Sequence, residues 1–157
     1  CGMFGGARMD GGDILRLDNI FFVARSKRTN DAGIETLRNL LTHLGHELRI
    51  IDIPTEKALH LTSISSTPTD QVILTAEGFL SADDFGELPE GSQIIFLPEE
   101  EVYGCNTIGL GNGKVLVAEG YPTVLETVQE LGLEPIVLDM SQIREADGSI
   151  TCCTLFF

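Results

Sequence analysis

The sequence contains 157 residues, of which 43% are hydrophobic, a length and composition that predict one folded domain and exclude a disordered chain. The formal net charge of −14 argues against nucleic acid as a partner and favours small cations, because phosphate binding requires clustered Lys and Arg. No apolar run reaches the about 20 residues that cross a bilayer, and the first residues lack the pattern of a signal peptide.

Four cysteines occur without an extracellular signal, which is typical of free thiols in a reducing compartment. Two of them are neighbours, a poor arrangement for structural disulfides. We therefore expect a cytoplasmic protein. The cysteines are Cys1, Cys105, Cys152 and Cys153.

The first predicted unit is a β-hairpin followed by a helix and a third strand. Its strands are predicted over 14–17, 20–24 and 47–53. Asn30 or Asp31 can cap the start of the helix, and Gly45 suits the position just after its end. Apolar residues recur at helical spacing between these limits, at Ile34, Leu37, Leu40, Leu41 and Leu44.

The third unit repeats this plan clearly. Asn112 and Gly113 form a strong hairpin signal between strands predicted over 106–110 and 114–118. Pro122 can open a helix that Gly132 ends, and a strand over 136–138 closes the unit.

The middle unit is weaker, and no helix follows the last predicted strand. Strands are predicted over 59–64, 71–75 and 94–97, with a short helix over 81–88. A last strand is predicted over 150–157. Because side chains alternate along a strand, Cys152 and Cys153 would then face opposite sides.

These patterns predict a single α/β domain over 1–157, built from a repeated ββαβ module. The predicted modules span roughly 10–54, 58–98 and 104–140, with 150–157 as the closing strand.

Thiol catalysis is one function that the chain could carry, because a Cys, a His and an acid distant in sequence can meet in space. The candidates are Cys152 or Cys153, His60 and Asp10. Each has a common structural explanation as well: free Cys are often buried core residues, and His60 on an apolar segment could be a hydrogen-bonded core residue. The sequence has no C-x-x-C pair, so no metal site is expected, and it has no phosphate loop.

Five motifs in chain order resemble dimethylarginine dimethylaminohydrolase, of the guanidino-group-modifying (pentein) superfamily, in its C-terminal portion. They are DGGDIL at 10–15, FFV at 21–23, SKRTN at 26–30, LHL at 59–61 and DGSITCC at 147–153. The resemblance implies an α/β propeller of five ββαβ modules, of which this chain supplies about three. The other two modules would come from an N-terminal part or a second chain, and a homo-oligomer is a further alternative.

The same resemblance implies roles for individual residues. Cys152 would be the nucleophile, with Cys153 as the alternative, His60 the general acid and base, and Asp10 the acid that orients His60. In substrate binding, Arg28 would hold the α-carboxylate and the Ala146 carbonyl the α-amino group, and Asp13 would lie near the guanidinium.

The implied activity is hydrolysis of Nω-methylated arginines to citrulline and a methylamine through a covalent thiouronium intermediate, without a cofactor. An arginine deiminase-like guanidine hydrolase is one alternative. A non-catalytic subunit that completes a propeller with another chain is the other.

Overall fold

The computed structural model describes residues 6–154, which form three mixed sheets of three strands each. In each sheet the first two strands form an antiparallel hairpin, and the third strand pairs in parallel with the second. A helix precedes each third strand. The predicted α/β fold of three ββαβ modules is therefore confirmed.

The first module contains β1 (Ile14–Leu17), β2 (Ile20–Arg25), α1 (Asp31–His43) and β3 (Glu47–Asp52). The second contains β4 (Ser65–Thr69), β5 (Val72–Ala76), α2 (Ala82–Phe85) and β6 (Gln93–Leu97). The third contains β7 (Ile108–Gly109), β8 (Lys114–Ala118), α3 (Pro122–Glu130) and β9 (Glu134–Leu138), and α4 (Ser141–Glu145) follows it. Short 3₁₀ helices occupy Gly11–Asp13, Leu61–Ser63, Glu99–Cys105 and Ile150–Cys153.

Helix α1 follows the predicted signals at both ends. The Asn30 side chain accepts a hydrogen bond from the Gly33 N–H, so Asn30 is the cap. Gly45 adopts a φ of 79°, the left-handed conformation that glycine favours after a helix. The apolar stripe is only partly buried: Ile34 and Leu41 lie in the core, whereas Leu40 is 56% exposed.

The hydrophobic core lies between the modules as well as within them. One cluster joins the first and second sheets and includes Leu17, Phe22 and Ile73, and a second joins the second and third sheets through residues such as Leu74 and Val115. Neighbouring modules therefore bury apolar faces that none could cover alone. Within residues 6–154 the modules do not close into a ring.

The middle module begins later than the sequence pattern predicts. Residues 59–64 are not a strand: His60 is extended and precedes the 3₁₀ helix Leu61–Ser63, where the Ser63 N–H and hydroxyl both donate to the His60 carbonyl. Strand β4 follows. Its sequence SSTPT is polar, so hydrophobic periodicity does not indicate which of its residues are buried. Its buried hydroxyls are satisfied by cross-strand partners, as in the 2.7 Å contact between Ser65 and Thr75.

The predicted closing strand is also wrong where the structure describes it. Residues Ile150–Cys153 form a 3₁₀ helix because local bonds replace strand pairing: the Cys152 N–H donates to the Ser149 carbonyl, and the Thr154 hydroxyl donates to the Ile150 carbonyl. Residues 155–157 of this prediction lie outside the described residues. With about three residues per turn, Cys152 and Cys153 do not face opposite sides of a strand, and both are exposed.

Among the helices of residues 6–154, none combines the length and the apolar character needed to span a membrane.

Candidate active site

Polar residues gather at one end of the hairpins, just before the first strand of each module. Asp10 and Asp13 precede β1, His60 precedes β4 and Asn106 precedes β7. Because β1 packs against β4 and β4 against β7, these three module starts are neighbours in space. The repeat therefore brings together side chains that are about 50 residues apart in sequence.

The first two modules contribute two acids, a histidine and an arginine. His60 Nε2 lies 3.9 Å from Asp10 Oδ2, and its Nδ1 lies 3.4 Å from Asp13 Oδ1. The Arg28 guanidinium lies 3.5 Å from the same Asp10 oxygen. Four of the residues predicted from the sequence are thus in contact, with His60 between two carboxylates.

Asp13 is completely buried and connects His60 with the loop that carries Arg28. The Ser26 and Thr29 hydroxyls each donate to Asp13 Oδ2 at 2.6 Å. Ser26 Oγ in turn accepts from the Arg28 N–H at 3.0 Å. A buried carboxylate with three polar partners fixes the positions of both the imidazole and the loop.

Asp10 is held ionised by its surroundings. The Gly12 N–H donates to Asp10 Oδ1 at 3.1 Å, and this bond, with the nearby His60 and Arg28, lowers the Asp10 pKa against the opposing effect of partial burial. Asp10 is therefore a carboxylate at neutral pH and can stabilise positive charge on the adjacent imidazole.

Cys152 lies on a separate segment and is exposed. Its Sγ is 3.4 Å from the Ser149 hydroxyl. A hydrogen-bonded link to the His60 side of the site runs from Thr151 through Asn106 to Thr62. By contrast, Cys105 is buried, and burial raises the pKa of its thiol to about 12, which makes it a poor nucleophile.

Asn106 is a residue of the site that the sequence patterns did not single out. It is 1% exposed, and its side chain bonds to Thr62, two residues after His60, and to Thr151, the residue before Cys152. The sequence showed it only as the start of a predicted strand. Its position before the first strand of a module, equivalent to those of Asp13 and His60, was the available signal.

Ala146 is exposed and ends α4, at the start of the loop that leads to Cys152. Two tyrosines hold this loop and the helix before it: Tyr103 in the 3₁₀ helix Glu99–Cys105 and Tyr121 at the start of α3. The Tyr103 hydroxyl donates to the Gly148 carbonyl at 2.8 Å, and Arg144 donates to the Tyr121 hydroxyl at 2.7 Å while lying over the Tyr103 ring.

Other features of the described residues lie away from this cluster. A cavity of about 750 Å³ occurs at the opposite end of the hairpins, lined by turn residues of all three modules. The titratable groups described above are absent from its walls. Within 6–154, no group of three or more His, Cys, Asp or Glu residues could hold a metal ion.

The fold is that of the guanidino-group-modifying (pentein) superfamily. No protein-family model matches the sequence. Within this class, the chain is related to the dimethylarginine dimethylaminohydrolases, which confirms the resemblance seen in the motifs.

Two sequence relatives carry that name. The protein from Streptomyces coelicolor is 32% identical over 148 residues, which are 94% of this chain and 54% of the relative. The protein from Pseudomonas aeruginosa is 32% identical over 149 residues, which are 95% of this chain and 56% of the relative. The chain thus spans about half the length of these relatives.

Solved structures agree with the sequence relatives. A dimethylarginine dimethylaminohydrolase variant in an adduct with S-methyl-L-thiocitrulline has a TM-score of 0.86 at 30% identity, covering 99% of this chain and 58% of that one. A Pseudomonas aeruginosa variant complexed with citrulline has a TM-score of 0.82 at 29% identity and the same coverage of both chains. An amidinotransferase from Microseira wollei shares the fold, with a TM-score of 0.82 at 24% identity, covering 95% of this chain and 47% of that one.

Proposed function

We propose that this chain carries the thiol and the acid–base group of an amidinohydrolase that converts Nω-methylated arginines to citrulline and a methylamine. The observation that carries the proposal is the placement of His60 between Asp10 and Asp13, in a segment that Asn106 joins to the Cys152 segment. The relatives named dimethylarginine dimethylaminohydrolase support this reaction over other chemistry of the class.

In the proposed first step, the Cys152 thiolate attacks the guanidinium carbon and forms a C–S bond. His60, as the imidazolium, donates a proton to the dimethylamine nitrogen, and the C–N bond breaks. Dimethylamine leaves, and a covalent thiouronium remains on Cys152. The positive charge of the substrate favours the thiolate form of the attacking sulfur by Coulomb attraction.

In the second step, neutral His60 takes a proton from water, and the resulting hydroxide attacks the same carbon. The C–S bond then breaks and the hydroxyl proton passes to solvent, where the released amine can take it up, so citrulline leaves, the thiolate is regenerated and His60 is again protonated. Asp10 supports the imidazolium that is present before the first step and is formed again in the second. Water is the only co-reactant of this sequence.

Asp13 has a different proposed task from the one expected from the sequence. Its carboxylate is fully buried and is bonded to His60, Ser26 and Thr29. We therefore assign it to holding the imidazole and the Arg28 loop, in place of a direct contact with the guanidinium. A buried carboxylate with these partners is suited to orienting a histidine.

Arg28 is the proposed partner of the substrate α-carboxylate. Its side chain is 54% exposed and meets Asp10 at 3.5 Å, so it is free to turn toward an incoming anion. The planar guanidinium can bind a carboxylate through two hydrogen bonds. The Ala146 carbonyl is proposed to accept from the α-amino group at the opposite side of the substrate.

The active assembly is proposed to need about two further modules, from the same polypeptide or from a second chain. Support comes from the coverage of the relatives, of which this chain spans 54–56%. The strongly negative net charge supports a cationic substrate, because an acidic surface attracts it.

Citrulline release from asymmetric dimethylarginine tests the proposal, with arginine assayed in parallel. Cys152→Ser should abolish release, whereas the neighbouring Cys153→Ser, a change of the same size and chemistry, should retain it. The opposite pattern would move the nucleophile to Cys153. Faster turnover of arginine would favour the deiminase-like alternative, and no release from an assembly of all modules would favour a non-catalytic subunit.

A further inference from the structure

The Asn106 side chain bonds to two separate segments of the chain. Its Nδ2 donates to the Thr62 carbonyl at 2.5 Å and to Thr151 Oγ1 at 2.9 Å, and its Oδ1 accepts from the Thr151 N–H at 3.0 Å. Both amide protons and one acceptor site are therefore used. If the amide oxygen and nitrogen were exchanged, the amide N–H₂ group would face the Thr151 N–H, and two donors would meet. The partners therefore also define the orientation of the amide.

The two partner residues of Asn106 flank the proposed reacting groups. Thr62 belongs to the 3₁₀ helix that follows His60, and Thr151 belongs to the 3₁₀ helix that contains Cys152. Both segments are short and depart from the strands predicted for them, so neither is fixed by a sheet ladder. A single buried amide joins them directly.

We propose that Asn106 is a positioning residue that sets the placement of Cys152 relative to His60. This inference rests on the proposed function for the identity of the two reacting groups. Asn106 itself would not touch the substrate. It acts through the backbones of Thr62 and Thr151, where a small displacement would separate the thiol from the imidazole.

A nearby hydrogen bond provides a matched control for variants that only weaken the packing between the modules. Ser66 Oγ and Thr107 Oγ lie 2.7 Å apart, and both residues are buried at the same junction of the second and third modules. This pair does not bond to the His60 or the Cys152 segment. Thr107→Val therefore removes a buried hydrogen bond next to Asn106 without releasing either segment.

The kinetic test compares Asn106→Ala with Thr107→Val in the active assembly. Asn106→Ala should lower kcat by about 100-fold with little change in KM, because misplacing reacting groups by about 1 Å has an effect of this size. Thr107→Val should keep the wild-type kcat even if it unfolds at the same denaturant concentration as Asn106→Ala. Equal losses of kcat in the two variants would overturn the proposal.

A second test is independent of turnover and uses iodoacetamide as the probe of Cys152, in a Cys1→Ser, Cys153→Ser background. A double-mutant cycle compares the pH dependence of alkylation with and without His60→Ala and Asn106→Ala. We expect His60→Ala to change the pH profile of Cys152 alkylation when Asn106 is present. In the Asn106→Ala background, His60→Ala should have no further effect on that profile. An unaltered effect of His60→Ala in both backgrounds, or no effect in either, would overturn the positioning role.

The two proposals can fail separately. An absence of citrulline release with an intact alkylation cycle would reject the hydrolase but retain the positioning role. Should Asn106→Ala fail to fold, Thr151→Val provides the measurement, because it removes only the Thr151 hydroxyl from Asn106 and keeps the N–H bond. It should give a smaller change in the same direction, and a wild-type profile would overturn the proposal.

Discussion

The His60 imidazole lies directly against the backbone of the 3₁₀ helix Gly11–Asp13. A Cβ added to Gly12 would lie 2.9 Å from His60 Cγ, which is closer than real Cβ contacts allow, whereas a Cβ at Gly11 would meet nothing within 4 Å. Neither glycine has a positive φ that alanine would resist. The absence of a side chain at Gly12 therefore defines the depth at which the ring sits between its two carboxylates.

This close approach gives a prediction for two adjacent positions. Gly12→Ala should push the imidazole away from Asp13 and lower kcat for citrulline release by about 10-fold or more, as expected for a misplaced catalytic group. Gly11→Ala makes the same chemical change one residue earlier. It should leave turnover near the wild-type value.

The measurement is a comparison of kcat for the two variants, together with the His60 imidazole NMR signals. Gly12→Ala should shift those signals and Gly11→Ala should not. Equal activity in both variants would show that the position of the ring tolerates the added methyl group.

At the scale of elements, helix α1 begins against the segment that precedes the site. Asn30 Oδ1 accepts from both the Gly33 and the Arg8 N–H groups at 3.0 Å, and Asn30 Nδ2 donates to the Gly6 carbonyl. A Cβ at Gly33 would lie 2.1 Å from the Arg8 carbonyl oxygen, which belongs to the backbone and cannot rotate away. The helix start and the chain leading to Asp10 therefore fit only with glycine at this position.

We accordingly expect Gly33→Ala to destabilise the protein, although alanine is the better helix former by about 1 kcal/mol. The overpacking should outweigh that gain and lower the free energy of unfolding by about 1–3 kcal/mol. Denaturant unfolding measures the change. The exposed helical residue Asn39 supplies the control, because Asn39→Ala should be neutral or slightly stabilising, and a stabilised Gly33→Ala would contradict the packing described here.

The sequence predicts those elements that local signals mark, and it misplaces those that depend on distant partners. The hairpin of β1 and β2 and helix α1 follow from local periodicity, a cap at Asn30 and a glycine at Gly45. Strand β4 was misplaced because it buries hydroxyls that pair with residues far along the chain, as Ser66 does with Thr107. Periodicity shows burial of apolar side chains and cannot show burial of paired polar ones.

At the scale of the whole molecule, the second and third modules meet backbone to backbone. A Cβ at Gly109 in β7 would lie 2.1 Å from the Pro68 carbonyl oxygen in β4. Strand β7 has only two residues, so this close approach and the buried core beside it determine how the two sheets are set together. The relative position of His60 and Asn106 depends on the same junction.

We predict that Gly109→Ala forces the two modules apart and lowers the free energy of unfolding by about 1–3 kcal/mol. The neighbouring Leu110 is 43% exposed, so Leu110→Ala changes the same turn without altering the junction and should cost much less. Denaturant unfolding with both tyrosine fluorescence and far-UV circular dichroism measures the effect. A Gly109→Ala variant as stable as Leu110→Ala would show that the junction can open without cost.

The order of amino acids was enough to predict the repeated module, the caps and turns of its helices, and a short set of chemically capable residues: Asp10, Asp13, Arg28, His60 and Cys152. These predictions follow from local spacing and from motifs, which are properties of the sequence and do not depend on how the chain folds. The folded structure was needed to show that Asp13 is buried beneath His60, that Cys152 lies on a 3₁₀ helix, and that Asn106 joins the segments of His60 and Cys152. Those facts depend on contacts between residues about 45 positions apart, which form only when the hydrophobic faces of the modules pack together.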